Sequence, residues 1–137
     1  MAEIFLDAPF AIALAARDDR HHATALKLAD RIQRERRHLV TTRAVALEIG
    51  NALAKARYRV ASVALLASTD RDPQVEVVPC SEELYARAFE LYQARPDKEW
   101  GITDCISFLV MQDRGVIEVL TTDEHFEQAG FRSLLRT

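Results

Sequence analysis

Four carboxylates stand at places in the sequence from which they can meet. Asp7 directly follows the apolar run "EIFL", and Asp123 directly follows the apolar run "VIEVLTT". Asp104 lies at the start of "TDCISFLVMQDR", the most apolar helical segment of the chain. Glu48 lies inside the helical segment "TRAVALEIGNALAKAR" and has no lysine or arginine three or four residues away to pair with it. We call Asp7, Glu48, Asp104 and Asp123 the four-acid cluster.

Convergence of these four side chains would create a binding site for a divalent cation. Like charges at close range raise one another's pKa values or require a counter-ion. Hard divalent cations prefer oxygen ligands, and an acidic cluster poor in histidine and cysteine suits Mg²⁺ or Mn²⁺ rather than Zn²⁺. A cation held there can activate water and neutralise the charge that builds up on phosphodiester oxygens. The chemistry indicated is metal-dependent hydrolysis of a phosphodiester.

Each acid also has an ordinary structural explanation when it is considered alone. Asp7 and Asp123 each precede a helical segment and could cap it. Asp104 could lie in a first helical turn because the helix dipole favours negative charge there. Glu48 alone is typical of a solvated helix position. The residues by themselves leave both interpretations open.

The elements that must position these acids alternate between strands and helices. Such alternation predicts an α/β fold, a three-layer α/β/α sandwich with a central, mostly parallel sheet. Because ligands bind at the carboxyl ends of parallel strands, Asp7 and Asp123 are expected at the same sheet edge. The predicted strands are 3–6, 38–41, 75–79, 116–122 and an edge strand at 131–135, and the predicted helices begin at Ala8 and then span 21–37, 42–57, 60–68, 82–95, 103–114 and 124–130.

The size and charge of the chain limit the classes of function. A length of 137 residues predicts one domain, residues 1–137, and 49% hydrophobic residues are enough for an ordinary core. The net charge of −3 means that nucleic acid would have to bind through a local basic patch or through metal ions. No apolar stretch is long enough to span a bilayer, and no signal peptide is expected. We therefore expect a soluble, cytoplasmic protein without a membrane partner.

The two cysteines are predicted to be small core residues. Cys80 and Cys105 are far apart in the sequence and form no CxxC pair. Neither lies near a plausible set of metal ligands, so both are interpreted as reduced thiols in a reducing cytoplasm. The adjacent His21 and His22 are interpreted as a surface helix start, because neighbouring helical residues point about 100° apart and cannot easily bind one ion. His125 is expected to pack or form a hydrogen bond in its turn.

Two basic segments are candidates for RNA contact. The densest is "RIQRERRH" (31–38), which could follow a phosphate backbone but is better explained as a solvated helix end. The second is "ALAKARYR" (52–59), predicted to extend from the helix that carries Glu48. It combines cations with an aromatic ring, which makes RNA contact more plausible there. Its candidate residues are Lys55, Arg57, Tyr58 and Arg59.

The four acids in their sequence context resemble the PIN-domain ribonucleases, and most closely the VapC-like toxins of bacterial toxin–antitoxin pairs. The segments that carry the resemblance are "IFLD", "ALEIGNAL", "DKEWGITDCISFLVM" and "LTTDEHFEQAGF", and they span nearly the whole chain. The last two are the most specific. An aspartate after a short strand is common, so the first is weaker.

The resemblance implies an α/β/α fold and an endoribonuclease that uses Mg²⁺ or Mn²⁺. Carried onto this chain, it makes Asp7, Glu48, Asp104 and Asp123 both the catalytic and the metal-binding residues. Asp7 and Asp104 are the first choice for direct ligands, while the other two would bind a second ion or position water. Thr103 and Thr122 could orient the neighbouring carboxylates. The resemblance further implies an RNA substrate, a cognate antitoxin protein and a homodimer, for which the apolar helices at 42–68 could supply the interface.

One departure and three alternatives accompany this assignment. The family often has a hydroxyl residue directly after the first aspartate, whereas Ala8 and Pro9 stand here, which questions one contact to the metal site. A PIN-type nuclease that processes RNA or DNA without an antitoxin would share the same residues. A catalytically inactive binding module of the same fold is a second alternative. A phosphotransferase of the haloacid-dehalogenase type is disfavoured, because it needs a second aspartate where Pro9 stands.

Overall fold

A computed structural model describes residues 2–135 and shows a five-stranded sheet with helices on both sides. The strand order is β3-β2-β1-β4-β5, and every neighbouring pair is parallel. The strands are β1 (Ile4–Leu6), β2 (Leu39–Thr42), β3 (Val75–Val78), β4 (Glu118–Leu120) and β5 (Arg132–Ser133). The helices are α1 (Ala8–Ala15), α2 (His22–Arg34), α3 (Arg43–Ala52), α4 (Ala56–Arg71), α5 (Glu82–Ala94), α6 (Ile102–Arg114) and α7 (His125–Gln128).

The helices form two layers because the chain crosses the sheet in two directions. From β1 to β3 it steps toward one edge, and from β3 to β5 it steps back across to the other. Right-handed crossovers then place α1–α4 on one face and α5–α7 on the opposite face. Most of the packing agrees, since α1 contacts α2, α3 and α4, while α6 contacts α5 and α7. Helix α3 also contacts α6 of the opposite layer. The predicted three-layer α/β/α architecture is confirmed.

Local sequence signals fix where the helices begin and end. Pro9 lies in the first turn of α1, where its missing N–H costs nothing. The Ser81 hydroxyl accepts a hydrogen bond from the Leu84 N–H at 3.0 Å and caps α5. Gly115 ends α6 with φ +66°, a left-handed conformation that glycine adopts without strain.

An aromatic cluster holds α6 and α7 on the second face of the sheet. Phe108 packs edge-to-face on Phe126, with ring centroids 4.9 Å apart, and on Trp100 at 5.0 Å. All three rings are buried, as is Phe5 on β1. Because Phe108 lies on α6 and Phe126 on α7, their contact fixes the two segments that carry Asp104 and Asp123.

Three local predictions were wrong. Cys80 is exposed after the end of β3, because the chain there leaves the sheet for the surface, whereas Cys105 is buried as expected. Helix α3 ends at Ala52 and α4 begins only at Ala56, so Lys55 precedes a new helix and does not extend the helix of Glu48. Helix α2 ends at Arg34, three residues earlier than predicted.

The lengths and composition of the helices bear on whether the chain could cross a membrane. Across residues 2–135, none of the helices combines the length and the apolar character needed to cross a bilayer.

Candidate active site

The register of β1 and β4 brings the first acid beside a hydroxyl. Leu6 pairs with Leu120, and the Asp7 N–H donates to the Leu120 carbonyl at 3.2 Å. Asp7 and Thr121 therefore leave adjacent strands side by side. The Thr121 hydroxyl donates to Asp7 Oδ2 at 2.8 Å, and both side chains are buried. The structure thus places Asp7 at the carboxyl end of the sheet, inside the protein rather than on its surface.

Asp123 and His125 lie at the same edge, on the turn after β4. The Asp123 N–H donates to Thr121 Oγ1 at 3.0 Å, and Asp123 Oδ1 accepts from the His125 backbone N–H at 2.9 Å. The imidazole Nδ1 lies 3.2 Å from that same Oδ1 and 3.0 Å from Asp104 Oδ2. One ligand atom each from Asp104, Asp123 and His125 lies within 4.8 Å of the others. His125 thus joins two of the four acids.

Asp104 reaches this edge from the first turn of α6. Its Oδ2 accepts a hydrogen bond from the Gly101 N–H at 3.0 Å, as a first-turn acid does. Asp123 likewise accepts a backbone bond within its own turn, whereas Asp7 occupies the N-cap of α1 without a side-chain capping bond. The ordinary structural roles of Asp104 and Asp123 are therefore real, and they coexist with the convergence of these side chains.

Glu48 completes the cluster from α3, which packs against α6. Partial loss of hydration raises the pKa of the Glu48 carboxyl, and the negative charges of Asp104 and Asp123 raise it further. Asp7 is affected in turn by Asp104 and by Glu48. Within residues 2–135 Glu48 forms no hydrogen bond to the other three acids, so its connection to them is electrostatic. The structure brings all four acids into one negative field.

The electrostatics of the cluster fit a cation. Burial raises the pKa of the Asp7 carboxyl to about 7, and burial likewise raises the pKa of Asp104. Within residues 2–135 no lysine or arginine forms an ion pair with any of the four acids, and His125 is their only basic neighbour in an ion pair. Carboxylate oxygens are the ligands that Mg²⁺ and Mn²⁺ prefer, and the His125 imidazole lies beside them as a hydrogen-bonding neighbour of Asp104. The residues present therefore fit a divalent cation.

Sequence reasoning missed two residues of this site. The hydroxyl that contacts Asp7 belongs to Thr121, while the orienting roles suggested for Thr103 and Thr122 stay predictions. Thr121 stands two residues before Asp123, and only the strand register reveals that it lies opposite Asp7. His125 was expected to form a hydrogen bond in its turn, which is correct, but its contact with Asp104 depends on how α6 meets the turn after β4.

The basic segments are largely occupied by other contacts. Arg31 and Arg34 pair with acids on their own helix, and Arg37 is buried against Glu118, so the segment 31–38 offers few free cations. In the second segment, Arg59 donates to the Ala54 carbonyl. The ion pairs support the interpretation of 31–38 as a solvated helix end. His22 begins α2 and contacts the Ala13 carbonyl through Nδ1, which agrees with a surface helix start.

Comparisons with known proteins agree with this geometry. Residues 4–132 match the PIN domain family. Among solved structures, Mycobacterium tuberculosis VapC20, a sarcin–ricin loop cleaving toxin, matches with a TM-score of 0.81 and 27% sequence identity, covering 93% of this chain and 95% of that one. A search of curated proteins gave no match.

Proposed function

The chain belongs to the PIN domain family, and on that premise we propose that it is a Mg²⁺- or Mn²⁺-dependent endoribonuclease that acts as the toxin of a toxin–antitoxin pair. The observation that carries the proposal is the four-acid cluster, whose members share one sheet edge and have no arginine or lysine in an ion pair with them within residues 2–135. The structural similarity of 93% of the chain to VapC20, a sarcin–ricin loop cleaving toxin, supports RNA as the substrate class.

The proposed role of each side chain in the cluster follows from its position. When bound, a divalent cation activates water and neutralises charge on the phosphodiester oxygens. Asp7 and Asp104 are the proposed direct ligands, since their side chains are the more buried of the four. Glu48 and Asp123 hold a second ion or orient the attacking water. His125 links Asp104 and Asp123, since its backbone N–H donates to Asp123 Oδ1 and its imidazole Nδ1 contacts Asp104 Oδ2.

The substrate we propose is a structured RNA of the sarcin–ricin loop type. VapC20 is described as cleaving that loop, and the two chains superimpose over nearly their full lengths. On the protein side, Lys55 is exposed at the α3–α4 corner, and Arg57 lies over the ring of Tyr58 at 4.7 Å. Cations beside an aromatic ring suit an RNA backbone and an unstacked base. We propose this corner as an RNA contact.

A cleavage assay tests the proposed activity. A hairpin RNA containing the sarcin–ricin loop is incubated with the protein and Mg²⁺ or Mn²⁺, with and without EDTA. Asp104→Asn is compared with Asp113→Asn, which removes the same charge from the other end of α6, where Asp113 pairs with Arg87. We expect cleavage by the wild type and by Asp113→Asn only when the metal is present, and no cleavage by Asp104→Asn. Cleavage that survives EDTA, or survives Asp104→Asn, contradicts the proposal.

The partner we propose is a cognate antitoxin that places an arginine in the four-acid cluster. A guanidinium binds carboxylates with two parallel hydrogen bonds and would compete with the cation. The product of a small adjacent reading frame is the protein to test. We expect it to bind the wild type and block cleavage, and to bind Asp104→Asn more weakly. The absence of such a reading frame would favour a processing nuclease without an antitoxin.

We also propose a homodimer formed through the α3–α4 side of the molecule. The large apolar side chains Leu47, Val60 and Val63 are exposed there, with 64%, 83% and 59% of their surface accessible. Exposed apolar patches of this kind mark protein–protein contacts. Light scattering at micromolar concentration should give twice the chain mass, and Val60→Glu should lower it. A monomeric wild type would refute the dimer and leave the nuclease proposal intact.

A further inference from the structure

Two buried hydroxyls link the last strand of the sheet to the four-acid cluster. Thr121 Oγ1 donates to Asp7 Oδ2 at 2.8 Å and accepts from the Asp123 backbone N–H at 3.0 Å. Ser133, on β5, donates from its Oγ to the Thr121 carbonyl at 2.6 Å. Thr121 and Ser133 have 0% and 1% of their surface exposed. A continuous chain of hydrogen bonds therefore runs from β5 through Thr121 to two of the acids.

The direction of each bond follows from the groups involved. A backbone N–H can only donate, so the Asp123 N–H uses a lone pair of the Thr121 oxygen, and the single hydroxyl proton of Thr121 is directed to Asp7. This arrangement fixes one carboxylate oxygen of Asp7 relative to the turn that carries Asp123. Bulk water cannot substitute for the donor at this depth. The residues directly after Asp7 are Ala8 and Pro9, which carry no hydroxyl.

We propose that Thr121 and Ser133 are positioning residues for the divalent-cation site: Thr121 orients Asp7 and Asp123, and Ser133 holds Thr121 in place from β5. The inference rests on the proposed function, because it assigns both hydroxyls to the proposed metal site. Groups that hydrogen-bond to metal ligands orient those ligands, and their loss weakens metal binding. The short β5 strand, which contributes no acid, thereby acts on the site from the edge of the sheet.

The chain offers a matched control for a buried hydroxyl. Thr41 is 1% exposed, lies at the same carboxyl edge on β2, and donates to the Leu6 carbonyl at 2.7 Å. Within residues 2–135 its hydroxyl forms no hydrogen bond to any of the four acids. Thr41→Val and Thr121→Val remove the same hydroxyl from equally buried threonines, and both should lower the thermal unfolding temperature. Only Thr121→Val should disturb the cation site, so the two variants separate a structural role from a positioning role.

The test is calorimetric titration of Mn²⁺ into the full chain after treatment with EDTA and its removal. We expect Thr121→Val to weaken Mn²⁺ binding by about 10- to 100-fold, as loss of a group behind a metal ligand does. Thr121→Ser, which keeps the hydroxyl, should restore binding to within about threefold of the wild type, and Ser133→Ala should weaken it by about three- to tenfold. Thr41→Val should leave it unchanged.

The possible failures are distinguishable. If the wild type binds no Mn²⁺, the proposed function fails and this inference fails with it. If the wild type binds Mn²⁺ and Thr121→Val binds it equally well, only the positioning role is overturned. An equal loss of affinity in Thr41→Val would likewise overturn it, since the effect would then follow from any buried hydroxyl. If Thr121→Val does not fold, the Mn²⁺ affinity of Ser133→Ala is the remaining test. Wild-type affinity in Ser133→Ala would then refute the positioning role.

Discussion

The acids at the two edges of the sheet differ in whether arginines of the same chain pair with them. At the edge where the strands begin, Arg37 reaches Glu118 at 3.0 Å, and Arg114 reaches Glu3 at 3.0 Å and Glu76 at 2.8 Å. At the edge where the strands end, the four-acid cluster has no such arginine within residues 2–135, and loss of hydration raises the pKa of three of its members, Asp7, Glu48 and Asp104. One edge is neutralised by the chain itself, and the other is left negative.

The difference separates stabilising acids from functional ones. Ion pairs such as those of Arg114 and Arg37 satisfy charge within the fold and require no ligand. Buried like charges without a counter-ion oppose folding, and such groups with perturbed pKa values concentrate at functional sites. A chain with 18 lysines and arginines has cations enough to neutralise both edges. The negative edge therefore marks the place where an external cation is expected.

The largest effect is expected when an acid of the four-acid cluster is removed, and removal of an acid at the opposite edge of the sheet is its control. We expect Glu48→Gln to lower the rate of RNA cleavage by about 1000-fold, equivalent to about 4 kcal/mol of transition-state stabilisation. Glu76→Gln removes the same charge from the edge where Arg114 still pairs with Glu3, and should leave the rate unchanged. Initial rates on the hairpin RNA measure both. Equal loss in the two variants would erase the distinction between the edges.

The next effect concerns the stability of the metal-free protein and its dependence on pH. Burial raises the pKa of Asp7 from 3.8 to about 7, so between these values the unfolded chain is ionised while the folded chain keeps its proton. Stability of the wild type should therefore fall as pH rises through this window, by at most about 4 kcal/mol. Asp7→Asn lacks this titration and should be more stable than the wild type at pH 8, by about 3 kcal/mol.

Urea unfolding in EDTA at pH 4.5 and pH 8 measures this difference. At the lower pH the folded wild type keeps the Asp7 proton and most of the loss of stability has not yet occurred, so the two free energies of unfolding should differ by only about 1 kcal/mol. A variant that is less stable than the wild type at pH 8 would contradict the picture of Asp7 as a buried charge without a counter-ion.

A smaller effect should follow from breaking the neutralised edge. Arg37 is 8% exposed, donates twice to the Ala2 carbonyl and pairs with Glu118. Because Glu118 remains partly hydrated, Arg37→Met should lower the free energy of unfolding by about 2 kcal/mol, below the cost of a fully buried pair. Arg34→Met breaks an exposed pair with Asp30 and should cost about 0.5 kcal/mol or less. Both variants, once folded, should cleave RNA like the wild type, and a selective loss of activity in Arg37→Met would argue against a purely structural role.

The sequence was sufficient where local rules decide the outcome. Asp7 and Asp123 were placed at one edge because each follows an apolar strand, and parallel strands end together. Asp104 was located by the start of an apolar helix. These inferences need only the alternation of elements and the chemistry of caps.

The sequence was insufficient where distant segments meet. The contact of Thr121 with Asp7 depends on the β1–β4 register, and the contact of His125 with Asp104 spans 21 residues and depends on how α7 packs against α6. Arg37 belongs to a basic segment that is typical of a protein surface, yet its side chain is buried. Helix α2 ends at Arg34, and Arg36 with φ +52° changes the direction of the chain before Arg37. No periodicity reveals these features, because each is set by tertiary packing.

The most direct test of the central claim is calorimetric titration of Mn²⁺ into the wild type, Asp104→Asn and Asp113→Asn at pH 7.5. The account predicts saturable binding to the wild type and to Asp113→Asn, and its loss in Asp104→Asn. Equal binding by all three proteins, or no saturable binding by the wild type, would show that the acids at the carboxyl edge of the sheet do not share a divalent cation.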